Sequence, residues 1–184
     1  MDKTEVFELL LHGNQLKRTT RTGWAMRGVP EPENVAAHSY GVAFTTLILA
    51  NLIGKKLDLG RLLSIAILHD LPEGLTSDIP VPSWRFTPDG AKEATEWAAI
   101  NEILDKSVDR ENYLDLWNEW QEGQSNEAMI VQDADKLDRY LQAYIYELHT
   151  GNRQLSEFWE RLERFNFVQS ERIYNEIRAK RQQI

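Results

Sequence analysis

No cysteine occurs anywhere in the sequence. Disulfides and thiolate metal sites are therefore excluded, and any metal must be held by histidine nitrogen and carboxylate oxygen. Long hydrophobic runs are missing as well. The longest, Leu47-Ile48-Leu49-Ala50 to Leu52-Ile53, is broken by Asn51 and is too short to span a bilayer, so no membrane partner is expected. Positive charge is scarce: the formal net charge of -8 argues against a nucleic-acid polymer as partner, which needs a basic face. A small phosphorylated ligand stays open, because a metal and a few local cations can invert the local field. The opening Met1-Asp2-Lys3-Thr4-Glu5 has no charged-then-apolar leader pattern, and a cytoplasmic enzyme or binding domain is expected. Proline is sparse, and its positions fall in two segments, 22–34 and 71–88. Those segments are expected to be loops.

What is present reads as helix. A length of 184 residues suits one domain. Apolar periodicity predicts helices over 4–20, 35–53, 58–70, 90–106, 110–121 and 125–149, then a last helical region over 154–181. Phe7, Leu10, Leu11 and Leu16 form the first apolar stripe. Val35, Val42, Leu49 and Leu52 share a face with His38, and Ile130, Ala134, Leu137, Leu141, Tyr144 and Leu148 line another helix. Gly54, Gly123 and Gly151 stand at helix ends, and Asp58 is placed to cap the helix after Gly54. No convincing strand, repeat or low-complexity segment is seen. The expected architecture is an all-α, single-domain bundle over 1–184, with 151–184 a C-terminal helical extension packing on the bundle or on a partner subunit.

The chemistry centres on His69-Asp70. Pro72 biases Leu71 away from helical angles, so the helix should stop at the dyad and place it at a mouth. His38 on an apolar face is either a satisfied core residue or a ligand. Of Asp133, Asp135 and Asp138, the first two lie about 200° apart on a helix and cannot face one site. Asp135, beside the apolar stripe, is the one that would be partly buried. It either faces a cation or belongs to a solvated face. Lys17, Arg18 and Arg21 either complement a helix C-terminus or bring one cation to a phosphate. Taken together, two imidazoles and two carboxylates make a mixed nitrogen–oxygen set suited to a divalent ion with positions left open for water and substrate.

The order His38, then His69-Asp70, then Asp135 resembles the signature of HD-domain metal-dependent phosphohydrolases. Further stretches resemble the 5′-deoxynucleotidase branch, which includes the eukaryotic HD-domain-containing protein 2. They are Glu33-Asn34-Val35-Ala36-Ala37-His38-Ser39, the run from His69 to Pro80, and Ala134-Asp135-Lys136-Leu137. This resemblance implies an HD-type helical bundle, with His38, His69, Asp70 and Asp135 as ligands of a divalent metal (Mn, Co, Ni, Fe, Zn or Mg). It implies that Glu73 orients or activates the attacking water, and that Glu73, Asp78 and the Ile79 backbone hold a further cation in some relatives. Asp78 would contact the nucleotide sugar, His38 and Asp135 would also touch substrate, and Val81, Pro82, Ser83 and Trp84 would line the nucleotide site. Arg21, helped by Arg18, would take the phosphate, Trp24 the sugar, and Arg85 the place of a loop lysine.

The implied activity is hydrolysis of (2′-deoxy)nucleoside 5′-monophosphates to nucleoside and phosphate, by a homodimer. Two alternatives stand beside it. One is an HD phosphohydrolase acting on a nucleoside di- or triphosphate, a pyrophosphate ester or a cyclic dinucleotide. The other is a non-catalytic helical binding protein with a structural metal.

Overall fold

The computed structural model describes residues 3–160 and 163–184, without the side chains of residues 3, 4, 81 and 82. The chain runs α1 (Lys3–Gln15), α2 (Thr22–Ala25), α3 (Val35–Ile53), α4 (Leu59–Leu68), α5 (Glu73–Thr76), α6 (Val81–Trp84), α7 (Ala91–Leu104), α8 (Arg110–Glu122), α9 (Asn126–Thr150), α10 (Ser156–Glu160) and α11 (Val168–Arg181). Among the described residues the only strand-like pairing is an isolated bridge between Thr20 and Asn34. The all-α expectation holds.

Local chemistry sets the ends of the core helices. Asn34 accepts a hydrogen bond from the Ala37 amide and starts α3, and Gly54 ends it in the left-handed conformation. Asp58 accepts from the Arg61 amide to start α4, and Ser125 accepts from the Ala128 amide to start α9. Helix α3 packs along α9 and against α4, and α11 lies against α9 and α3. Val42, Leu49, Leu62, Ile65, Ile130, Ala134 and Leu137 close the core between them. Each fully buried Val, Leu or Ile there contributes about 1.5–3 kcal/mol of hydrophobic stabilisation. A second cluster, with Leu16, Val35, Ile100 and Trp117, joins α1, α7 and α8 beside the end of α4.

Several expectations need correction. Helix α1 stops at Gln15, and of its stripe only Leu16 is buried; Phe7, Leu10 and Leu11 are exposed. Leu52, Leu141 and Leu148 are also exposed, since the α3 and α9 faces that meet are centred on Val42, Leu49, Ala134 and Leu137. The loop 71–88 contains two single-turn helices. The last helical region is two helices, because the Asn166 and Phe167 amides donate to Asp133 rather than to a preceding turn. Taken whole, α3 is long and apolar enough to cross a membrane by length and composition, which the shorter run read in the sequence did not show. In this fold it is the helix that carries His38 through the core. Residues 161–162 of the expected last helical region, and the side chains of Val81 and Pro82, lie outside the described residues.

Candidate metal centre

Three helices deliver the site. The same period that buries Val35 and Val42 turns His38 inward from the first turns of α3, where it is fully buried. His69 is the residue at which α4 ends, and Asp70 follows where the chain leaves the helix. Asp135 projects from the middle of α9 toward both.

The donor atoms converge. His38 Nε2 lies 3.2 Å from Asp135 Oδ1 and 3.5 Å from Asp70 Oδ2, and Asp70 Oδ2 lies 3.2 Å from His69 Nε2. Neither buried Nε2 atom has a hydrogen-bond partner. Adjacent ligands on an ion with bonds of about 2.1 Å stand about 3.0 Å apart, so this spacing is that of donors arranged around a cation. The far nitrogens are fixed: His69 Nδ1 meets the Ala66 carbonyl at 2.8 Å, and His38 Nδ1 meets Asp138 Oδ2 at 2.8 Å. His38, His69 and Asp135 could hold an ion among atoms within 4.8 Å of one another, and Asp70 adds its oxygen to the same point. The residues present fit a divalent metal.

Electrostatics agree with this reading. Burial opposes charge on Asp70 and Asp135. The imidazoles outweigh it and hold both carboxyls far below their usual range, helped by Arg21 at Asp70 and Arg139 at Asp135. Burial and Arg21 oppose charge on His38, but Asp135 and Asp138 prevail and push it up to about 9. Glu73 goes the other way: burial, then Asp70 and Asp78, push its carboxyl up to about 9, and its Oε2 is buried without a partner. A raised histidine stabilises the fold most where it is charged. In metal-free protein the His38 contribution is fully present below its ordinary 6.5 and is lost as the pH rises through about 9. Thermal melts in chelator at about pH 6 and about pH 9.5 are expected to show Tm lower by several degrees at the higher pH, with the difference shrinking in His38→Gln.

A cavity of about 540 Å³ opens over these atoms. Arg21 reaches into it and its Nη1 lies 3.4 Å from Asp70 Oδ2; burial works against its charge, but Asp70, Asp78, Glu73 and Asp135 hold the guanidinium ionised. Asp78 accepts a hydrogen bond of 2.6 Å from the Thr22 amide, which ties the 71–88 segment to the start of α2 beside Arg21. The Ile79 carbonyl accepts from Trp84 Nε1 at 2.8 Å, so Trp84 is held against the cavity wall. Trp24 is a core plug with one edge on the cavity: it is 2% exposed, stacks on Phe158 at 4.7 Å and donates Nε1 to Glu33.

Of the expected substrate contacts, His38 lies fully buried beneath the cavity, and Arg18, Ser83 and Arg85 do not line it. Arg18 turns back onto the end of α1, to Asn14 and Gln15, because an exposed arginine after a helix end finds those amide oxygens first. Ser83 is exposed, and Arg85, also exposed, stacks over the neighbouring Phe86 ring at 4.6 Å. Conversely, sequence reasoning missed Lys92 and Glu96 of α7, Trp120 of α8, and the Arg27–Glu157 and Arg139–Glu163 pairs, all of which line the cavity. Lys92 and Glu96 carry no local signal, since a charged i, i+4 pair is ordinary on an exposed helix. Asp133, excluded from the site by helical geometry, points the other way and accepts from the Asn166 and Phe167 amides.

An HD domain family model matches residues 13–178. The chain belongs to the HD-domain family. It is 39% identical over 141 residues to the 5′-deoxynucleotidase HDDC2 of Dictyostelium discoideum, covering 72% of this chain and 73% of that protein. It is 30% identical over 170 residues to the human 5′-deoxynucleotidase HDDC2, covering 91% and 81%. Among solved structures, a conserved hypothetical protein from Pyrococcus furiosus superposes with a TM-score of 0.78 at 36% identity, covering 97% of this chain and 99% of that one. The family model and the Pyrococcus furiosus structure span the HD helices and the segment after α9 alike. Membership implies a divalent metal, which the convergent histidines and carboxylates fit.

Proposed function

We propose that this HD-domain protein is a metal-dependent phosphomonoesterase that hydrolyses nucleoside 5′-monophosphates, with 2′-deoxynucleotides preferred. The observation that carries the reading is the convergence of two unpartnered buried Nε2 atoms with Asp70 and Asp135 at the floor of a cavity that Arg21 enters. The likeness to enzymes named 5′-deoxynucleotidase supports the substrate class. His38, His69, Asp70 and Asp135 would hold the ion. When bound there, a divalent cation lowers the pKa of water and neutralises phosphate charge.

The chain's own groups do the rest. Arg21 pairs with the non-bridging phosphate oxygens and stabilises the charge that builds on the transferring phosphoryl group. Burial, Asp70 and Asp78 raise the Glu73 carboxyl in metal-free protein; the ion, once bound, would offset the two charges, so that Glu73, its Oε2 unpartnered, would take the proton of the attacking water. As the water oxygen bonds phosphorus, the bond to the 5′ oxygen breaks, and that oxygen leaves with the proton that Glu73 took from the water. Trp84 and the exposed edge of Trp24 flank the nucleoside, in a cavity within the range of about 300–1,000 Å³ for small-ligand sites. A longer phosphate chain needs more free cations. Arg27 and Arg139 are already paired with Glu157 and Glu163, which favours the monophosphate.

Phosphate release from a panel of ribo- and deoxyribonucleoside 5′-monophosphates, with each metal or with chelator, tests this. Metal-dependent release, faster from the deoxy set, is expected. Silence across the panel from folded, metal-loaded protein would reject it. Residues 1–184 form one HD domain in this reading, with 151–184 folded back on the bundle through α11. We also propose that the protein is a homodimer. Tyr40, Phe44, Leu47, Ile48 and Leu52 leave an apolar stripe exposed along α3, which suits an isologous contact. Sedimentation is expected to give a dimer for the parent and a monomer for Phe44→Glu/Ile48→Glu; an unchanged mass would remove α3 as the interface.

A further inference from the structure

Asp138 and Gly41 lie outside the four expected ligands, yet both are tied to His38. Asp138 stands one turn after Asp135 on α9, so the two carboxylates share a face. They take opposite nitrogens of one imidazole: Asp135 Oδ1 lies 3.2 Å from Nε2, and Asp138 Oδ2 lies 2.8 Å from Nδ1. The Asp138 carboxylate fits only because α3 has a notch. A Cβ built on Gly41 would sit 2.0 Å from Asp138 Oδ1 and 2.7 Å from its Cγ. Gly41 lies one turn after His38, in the interior of a 19-residue helix. A glycine there destabilises the helix relative to alanine, and the close approach of Asp138 is its physical reason.

We propose that Asp138 is the positioning residue of the metal centre and that Gly41 makes the space for it. Accepting the Nδ1–H bond fixes the His38 tautomer, leaves the Nε2 lone pair free toward Asp70 and His69, and makes the imidazole a stronger donor. His69 is set by a different device, the Ala66 carbonyl at the end of α4. The centre thus depends on one side-chain anchor and one backbone anchor. Glu33 also stands in this neighbourhood, within 4.8 Å of His38 and Asp138. Its Oε1, however, accepts from Trp24 Nε1 at 2.9 Å, which commits it to the wall of the cavity.

This inference rests on the metal reading of the site but not on the substrate, and its test uses neither nucleotide nor turnover. Co(II) or Mn(II) affinity is measured by titration calorimetry, with the Co(II) absorption spectrum as the signature of the ligand set, for the full chain and for Asp138→Asn, Gly41→Ala and Asp133→Asn. Asp138→Asn keeps the volume and is expected to weaken metal binding by about 10–100-fold, with the metal-free Tm close to the parent. Gly41→Ala displaces the carboxylate and is expected to weaken binding in the same way. Asp133→Asn disturbs the anchor of α11 on the same helix and is expected to lower Tm while leaving affinity unchanged. Parent-like affinity and spectrum in Asp138→Asn would overturn the positioning role alone, as would an affinity loss in Asp133→Asn equal to that in Asp138→Asn. A parent protein that binds neither ion would overturn the metal reading and this inference with it.

Discussion

Asp70→Asn is expected to reduce metal-dependent phosphate release by at least about a thousandfold and to strip the protein of tightly bound metal. Asp70 Oδ2 is the atom on which the site closes. It lies 3.2 Å from His69 Nε2, 3.5 Å from His38 Nε2 and 3.4 Å from Arg21 Nη1. An asparagine of the same shape removes the charge that all three groups face, and its amide can turn an N–H toward atoms that need an acceptor. The imidazoles then sit buried beside Arg21 with one carboxylate fewer to oppose it. The measurement pairs phosphate release with metal content after desalting. Full activity in a variant without bound metal would sink the assignment of Asp70, and with it the reading of the whole cluster.

Arg21→Ala is expected to cut kcat/KM by about 100–1,000-fold while leaving metal affinity within a few-fold of the parent. The guanidinium is held by its own backbone: the Arg21 amide donates to the Glu33 carbonyl at 3.0 Å, and the bridge between Thr20 and Asn34 fixes the strand-like approach to it. Asp78 secures the next residue through the Thr22 amide. Arg21 therefore points into the cavity because three ties pin its segment, and its tip, beside Asp70, stands where it can meet a phosphate. Arg21→Lys should recover little, since an ammonium cannot reproduce the planar fork that matches two phosphate oxygens. Equal losses of metal affinity and turnover in Arg21→Ala would mean that it supports the ligands rather than the substrate. The split between the Asp70 and Arg21 variants thus separates holding the ion from using it.

Much of the fold was legible in the sequence because helix ends are written in short-range chemistry. Asp58 accepts from the amide three residues on, as its place after Gly54 implied, and Gly54, Gly123 and Gly151 take the left-handed angles that end helices. The same locality put His69-Asp70 where a helix stops, and helical angles alone separated Asp133 from Asp135. The spacing of His38 with Val35 and Val42 placed it on the buried face. These inferences needed only the period of the chain and the preferences of single residues.

What the sequence could not determine depends on contacts between distant segments. The break between α10 and α11 exists because Asp133, one helix earlier, captures the Asn166 and Phe167 amides. Arg18 and Arg21 look alike as sequence neighbours; only the ties of Arg21 to Glu33 and Asp70 decide which one enters the cavity. Trp24 is drawn into the core by Phe158 and Tyr146, from segments more than a hundred positions away. Lys92 is an ordinary helix-surface cation until α7 is folded beside the site. Asp138 becomes an anchor only when α3 presents the notch at Gly41. The sequence by itself determined helices α3, α4, α7, α8 and α9, where they end to within a few residues, and the types of the expected ligands, since those follow from local periodicity and capping. The tertiary structure decided which charges face the cavity, because that is set by the packing of one helix against another.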